Sequence, residues 1–144
     1  MQTLKIFSDG GARGNPGPAG IGIVISQTSN LKPQTLAEIS EYIGEATNNQ
    51  AEYTAVIHAL EWVGENIKGD VEIEFFLDSQ LVVEQLNQRY KLKNEGLKPL
   101  FWQIRELILK IGGRVTFEFI PREKNKEADK LVNQAIDKHL KGNK

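Results

Sequence analysis

Cysteine is absent from the sequence. That excludes disulfides, thiolate metal sites and cysteine nucleophiles, and it fits a reducing cytosol. Long apolar runs are also missing: none approaches the ~18 residues that a membrane span needs. The N-terminus enters a strand-like pattern at Leu4-Lys5-Ile6-Phe7 without the basic and then apolar segments of a signal peptide. A cytoplasmic protein with no membrane association is therefore expected. No GK[ST] follows the glycine-rich stretch near the N-terminus, which argues against a P-loop nucleotidase. Repeats, linkers and low-complexity segments are lacking as well. The 144 residues, 40% of them apolar, read as a single domain spanning 1–144 with a proper core, and 141–144 as a frayed tail.

Net charge is −1, but its distribution is uneven. Residues 1–88 hold 4 Lys/Arg against 12 Asp/Glu, and residues 89–144 hold 14 against 7. Such asymmetry suits either two halves that attract within one domain or a basic surface beside an acidic site.

Two strands are expected over 3–9 and 19–25, the second from the alternation of Ile21, Ile23 and Ile25 with smaller residues. The intervening SDGGARGNPGPAG reads as a turn, making the pair an antiparallel hairpin with a long connection. A weaker third strand, 36–43, has the polar alternation of a sheet edge. A helix over 49–66 is apolar almost all round in AEYTAVIHALEWV and should be largely buried. Strand 71–77 follows, then a short helix from Ser79 to Asn87 capped by Ser79. A helix over 98–111 carries Leu100, Ile104, Leu107, Ile108 and Ile111 on one stripe. Strand 115–120 and a helix from Lys126 to Leu140, with Asn125 as its cap, complete the chain. The order βββαβααβα implies an α/β fold, a five-stranded mixed sheet with helices on both faces.

Four acidic residues stand apart from the solvated ones. Asp9 ends the first strand and Asp78 the fourth; if those strands are parallel neighbours, the two emerge side by side where ligands of open α/β sheets gather. Glu52 lies in the first turn of the buried helix, and Asp129 near the start of the last one. Each has an ordinary explanation. Asn49-Gln50-Ala51-Glu52 resembles a capping box, Asp129 suits a helix dipole, and Asp9 and Asp78 suit turns. Taken together, four clustered carboxylates cannot all stay ionised without a countercharge. An oxygen-only set selects a hard divalent ion such as Mg²⁺ or Mn²⁺, which points to phosphoryl transfer.

The segments FSDGGARGNPGPAGIG, TNNQAEYTAVIHALE, LDSQLVVEQLN and NKEADKLVNQA resemble, in order, the four active-site blocks of type 1 ribonuclease H, and the likeness extends over essentially the whole chain. It implies the ribonuclease H fold and a metal-dependent endonuclease that cuts the RNA strand of RNA–DNA hybrids, leaving 3′-hydroxyl and 5′-phosphate ends. It also implies Asp9, Glu52, Asp78 and Asp129 as ligands of two Mg²⁺ (or Mn²⁺) ions, with Asp9 bridging both. Gly10, Gly14, Asn15, Thr47, Asn48, Asn49 and Gln80 match substrate-contacting positions. On this reading the glycines let the hybrid's backbone come close and the prolines stiffen the loop. A monomer with no obligate protein partner is expected. The rival readings are a non-catalytic hybrid-binding domain and another metal nuclease of the same fold.

Three departures from the family pattern stand out. The region matching a basic helical protrusion shortens to RYKLKNEGLKPL, with Arg89, Lys91, Lys93 and Lys98. The loop before the last helix, PREKNKEAD, holds no histidine, so Arg122 or Glu123 is expected to take over part of that role. His58 is read as a packed residue of the buried helix and His139 as a cation at a helix end. No N-terminal hybrid-binding module is expected. Trp62 is assigned to the core, and Trp102 and Tyr90 to packing rather than to stacking on the DNA strand. Because phosphate contacts supply much of the affinity for nucleic acid, long hybrids should bind this chain more weakly than protrusion-bearing relatives. Binding titrations at matched salt check this, and equal affinities would contradict it.

Overall fold

Every expected element is present in the computed structural model, which describes residues 2–29 and 32–142. They are β1 (Gln2–Ala12), β2 (Gly17–Ser29), β3 (Lys32–Ala46), α1 (Asn48–Asn66), β4 (Val71–Leu77), α2 (Gln80–Leu86), α3 (Lys98–Ile111), β5 (Arg114–Phe119) and α4 (Lys126–Gly142). A single 3₁₀ turn, Arg122–Lys124, precedes α4. The last helix continues through Lys141 and Gly142; Asn143 and Lys144, the rest of the expected frayed tail, lie outside the described residues.

The five strands form one sheet in the order β3-β2-β1-β4-β5. The β1–β2 and β2–β3 pairs are antiparallel, and β1–β4 and β4–β5 are parallel. The hairpin is longer than its sequence suggests. Pairing continues through Gly10↔Ile21, Gly11↔Gly20 and Ala12↔Ala19, so the connection is only Arg13–Pro16. The glycines that read as loop are mostly strand residues, and close packing within the protein explains them. A Cβ on Gly10 would overlap the Ala51 carbonyl group of α1, and one on Gly22 would overlap the Ala128 carbonyl oxygen of α4. In the turn itself, Gly14 has φ +101°, a conformation that favours glycine.

Those two close approaches put α1 and α4 on opposite faces of the sheet. On the α1 face, Leu4, Ile6, Ile21, Ile23, Ile25, Ile73 and Phe75 pack against Tyr53, Val56, Leu60 and Val63 of α1, with Ile104 of α3 in the same cluster. Phe75 stacks on Phe117 of β5. Burying α1 on nearly all sides fits its apolar run, and α3 shows the expected amphipathic stripe, with Ile104 buried and its neighbours partly so. Helix α3 ends at Gly112, whose φ of 71° allows the left-handed cap. Ser79 caps α2 by accepting a hydrogen bond from the Val82 N–H at 3.3 Å.

Three side chains depart from expectation. Trp102 (62% exposed) and Tyr90 (51% exposed) are on the surface and outside the core, Trp102 edge-on to the adjacent Phe101 ring. His58 is half-buried, with Nδ1 3.2 Å from Glu41 Oε2 of β3, because its place in α1 faces the sheet edge rather than the core. Trp62 packs partly buried against the core. His139 stacks face to face on Tyr42, ring centres 3.6 Å apart.

Glycine substitutions separate the two kinds of site. Gly64→Ala, exposed in α1 with nothing within 4 Å of the new Cβ, should stabilise the fold by about 0.5–1 kcal/mol. Gly22→Ala should destabilise it by about 2–3 kcal/mol or more through overpacking against α4. Urea titrations of both variants give the signs.

Candidate active site

The β1/β4 boundary is where the sheet's strand order reverses, and the acidic residues converge there. Asp78 directly follows β4. Asp9 lies within β1, opposite Gly22 and not at the strand's end, because pairing with β2 runs three residues further. The parallel register, with Phe7 beside Phe76, carries Asp9 and Asp78 to the same end of the sheet. Glu52 arrives from the second turn of α1. The capping box is formed by Thr47 and Gln50: the Thr47 hydroxyl accepts from Gln50 N–H at 3.1 Å, and Gln50 Oε1 accepts from Thr47 N–H at 2.9 Å. Glu52 is thus free of any capping role. Its Oε1 accepts from the Gly10 N–H at 3.2 Å, while Oε2 is buried without a partner. One carboxylate oxygen from each of Asp9, Glu52 and Asp78 lies within 4.8 Å of the others.

Asp129 is exposed and stands outside that triad, on the rim of the same cavity of about 460 Å³. Asn125, only 1% exposed, precedes α4 but does not cap it with its side chain. Its Nδ2 donates to the Ser8 carbonyl at 3.0 Å and to Asp78 Oδ2 at 2.9 Å, tying β1 to the aspartate after β4. Its Oδ1 is buried and unpaired. A cap-type residue just before a helix hides this role in the sequence.

Burial dominates the electrostatics. Asp9, 7% exposed, has its carboxyl pushed up to about 6 by desolvation, with the Asp78 and Asp129 charges adding to the rise; hydrogen bonds from Glu52 and the Gly10 amide oppose it. Glu52 is raised well above the usual carboxylate range, first by burial and then by its hydrogen bond to Asp9 and the nearby negative charges. Ionising both carboxyl groups together is therefore unfavourable without a countercharge. An all-oxygen donor set, a buried unpaired Oε2 and acids that resist ionisation all fit a hard divalent cation.

Of the other residues singled out in the sequence, Gly10, Asn48, Asn49 and Arg122 line the cavity. Asn15 sits beside it and accepts the Asn48 N–H at 2.9 Å through Oδ1, while Asn48 Oδ1 accepts the Ala12 N–H at 2.9 Å. Gly14 is at the turn apex, Thr47 caps α1, and Gln80 is exposed at the start of α2. Glu123 lines a separate depression with Phe7 and Val24. The cavity wall also contains Arg13 and Asn133, which the sequence did not single out, and Ser79, which it singled out only as a helix cap.

A family model described as reverse transcriptase-like matches residues 7–135. A bifunctional protein of Mycobacterium tuberculosis is 42% identical over 135 residues, covering 93% of this chain. The chain spans only 35% of that relative's length. A ribonuclease H of Ruthia magnifica is 32% identical, the alignment covering 96% of this chain and 98% of that protein. Among solved structures, LC11-RNase H1, isolated from compost by a metagenomic approach, is 48% identical with a TM-score of 0.88, over 97% of this chain and 99% of that one. The chain belongs to the type 1 ribonuclease H family. Ribonucleases H are metal-dependent, and the acidic triad suits that requirement. LC11-RNase H1 has also been solved in complex with an RNA/DNA hybrid, with a TM-score of 0.87 to this chain. Among the described residues, no helix is long and apolar enough to cross a membrane.

Because the folded state raises the Asp9 carboxyl from 3.8 to about 6, the native state binds the proton more tightly than the unfolded one. The associated stability is present below about pH 4 and is lost as pH rises through 6, a change of about 3 kcal/mol for this group. In EDTA, Asp9→Asn should match the wild type near pH 4 and exceed its Tm above pH 6. Added Mg²⁺ should raise the wild-type Tm at pH 7.5 but not at pH 4. Calorimetric melting across this range checks both.

Proposed function

We propose that the protein is an endonuclease that hydrolyses the RNA strand of RNA–DNA hybrids to 3′-hydroxyl and 5′-phosphate ends. The observation that carries this reading is the convergence of Asp9, Glu52 and Asp78 within 4.8 Å in an open, polar cavity of a type 1 ribonuclease H fold. The hybrid-bound LC11-RNase H1 supports the substrate class.

On this reading Asp9, Glu52, Asp78 and Asp129 would hold two Mg²⁺ ions, which would supply Lewis-acid stabilisation of phosphoryl oxygens and make bound water more acidic. The chain's own residues set the stage. The Gly10 amide holds Glu52, Asn125 fixes one oxygen of Asp78 and leaves the other to face the cavity, and burial keeps competing water from Asp9 and Glu52. The Asn15–Asn48 pair fastens the glycine loop to the start of α1. Gly10, Gly14, Asn15, Asn48, Asn49 and Gln80 then contact the hybrid across its minor groove, where RNA displays 2′-hydroxyls that amide side chains can both donate to and accept from, and Thr47 holds a phosphate of the DNA strand. Arg122, on the cavity wall, is the auxiliary group in place of a loop histidine.

A labelled hybrid incubated with Mg²⁺ tests the reading. The wild type should cut the RNA strand, and Asp9→Asn and Asp78→Asn should each lose about 10³-fold or more in rate. Unimpaired cutting by both variants would reject the site. Cleavage of duplex DNA with hybrids spared would favour another nuclease activity on this fold, and hybrid binding without cleavage a non-catalytic role.

A further inference from the structure

Arg13 opens the hairpin loop directly after β1, and its side chain reaches the last helix. Nη1 lies 2.6 Å from Asp137 Oδ1, and Nη2 donates to Asn133 Oδ1 at 3.2 Å. Asn133 in turn donates through Nδ2 to the backbone carbonyl of Asp129 at 3.0 Å. Asp129, Asn133 and Asp137 are spaced by four residues, so they share one face of α4. The loop is also fixed by Asn48 and Asn15 to α1 and, through the Arg13 N–H, to the Pro18 carbonyl at 2.9 Å. A continuous set of hydrogen bonds thus runs from the start of α1, which carries Glu52, through the loop to the backbone of Asp129.

We propose that Arg13 is a positioning residue that docks α4 against the hairpin loop and so sets where Asp129 stands relative to the Asp9–Glu52–Asp78 triad. The proposal rests on the nuclease reading above. Three of the acids are held by the sheet and α1; the fourth rides on α4, whose first turn is anchored to the loop by Arg13 and Asn133. A planar guanidinium can address Asp137 and Asn133 at once, which a lysine ammonium on a single flexible stem does poorly. An ion pair this exposed adds little to overall stability, so its effect falls on geometry. Displacing one reacting group by a fraction of an ångström is enough to slow a positioned reaction.

Arg13→Ala, Arg13→Lys, Asp137→Ala and the double variant Arg13→Ala/Asp137→Ala are compared in the full chain. The expected result is a fall in kcat of about ten-fold for Arg13→Ala, reproduced by Asp137→Ala and not deepened in the double variant. KM for the hybrid should stay within about two-fold, Tm should hardly change, and Arg13→Lys should rescue only partly. Hydrogen exchange of the metal-free protein gives a readout that needs no cleavage: amides of residues 11–15 and 129–133 should exchange faster in Arg13→Ala. If the wild type cleaves nothing, the nuclease reading fails while the exchange result still reports on the docking. A raised KM with a shallower salt dependence in Arg13→Ala, together with an unaffected Asp137→Ala, would overturn the proposal and make Arg13 a phosphate contact. Unchanged exchange would overturn it as well.

Discussion

Three carboxylates held within 4.8 Å, two of them nearly cut off from solvent, repel one another, and the fold must keep them together against that repulsion. The surrounding architecture answers this with rigidity. Asp9 is locked into a strand paired on both sides at its base, Glu52 into a helix buried on most faces, and Asp78 into the first residue past a central strand. No basic side chain among the described residues bonds the triad oxygens. Protonation relieves the opposition at low pH and a bound cation would relieve it at neutral pH, which suits the metal dependence of ribonucleases H.

The sheet order explains why these acids meet at all. With β1 central, its antiparallel partner β2 supplies the hairpin loop on one side and its parallel partner β4 supplies Asp78 on the other. The helix between β3 and β4 must cross the sheet to connect them, and its N-terminal half passes over the end of β1. Glycine at position 10 lets α1 come close enough for Glu52 to reach a β1 amide. A methyl group there would separate the helix from the strand and, with it, the second acid from the first.

Much of this was legible in the sequence, unevenly and for physical reasons. Strand 71–77 and helix 98–111 have the expected bounds because their apolar periodicity runs from end to end. The hairpin is longer than its sequence suggests because glycine in a strand looks like glycine in a turn; what distinguishes them is the nearness of α1 and α4, a tertiary fact. The edge strand β3 extends well beyond 36–43, since an edge can be polar throughout. Helix spacing offers one signal for the residues that sequence reasoning misses: Asn133 and Asp137 continue the face of Asp129, alongside the apolar stripe of Ala128, Val132, Ala135 and Ile136. Their partner, 120 positions away, leaves no such trace. Asn125 was read as a cap because asparagine there usually is one, and Trp102 and Tyr90 as packing because their exposure depends on what lies around them.

Asn125 joins Ser8 and Asp78 across 117 and 47 positions of chain. A ribosome delivers the polypeptide from its first residue onward, so the hairpin, α1 and β4 all emerge before the amide that binds two of them together. The centre therefore matures only after the segment around Asn125 has emerged. While the final helix is still inside the exit tunnel, the nascent chain carries its acids without the stitch that aligns them.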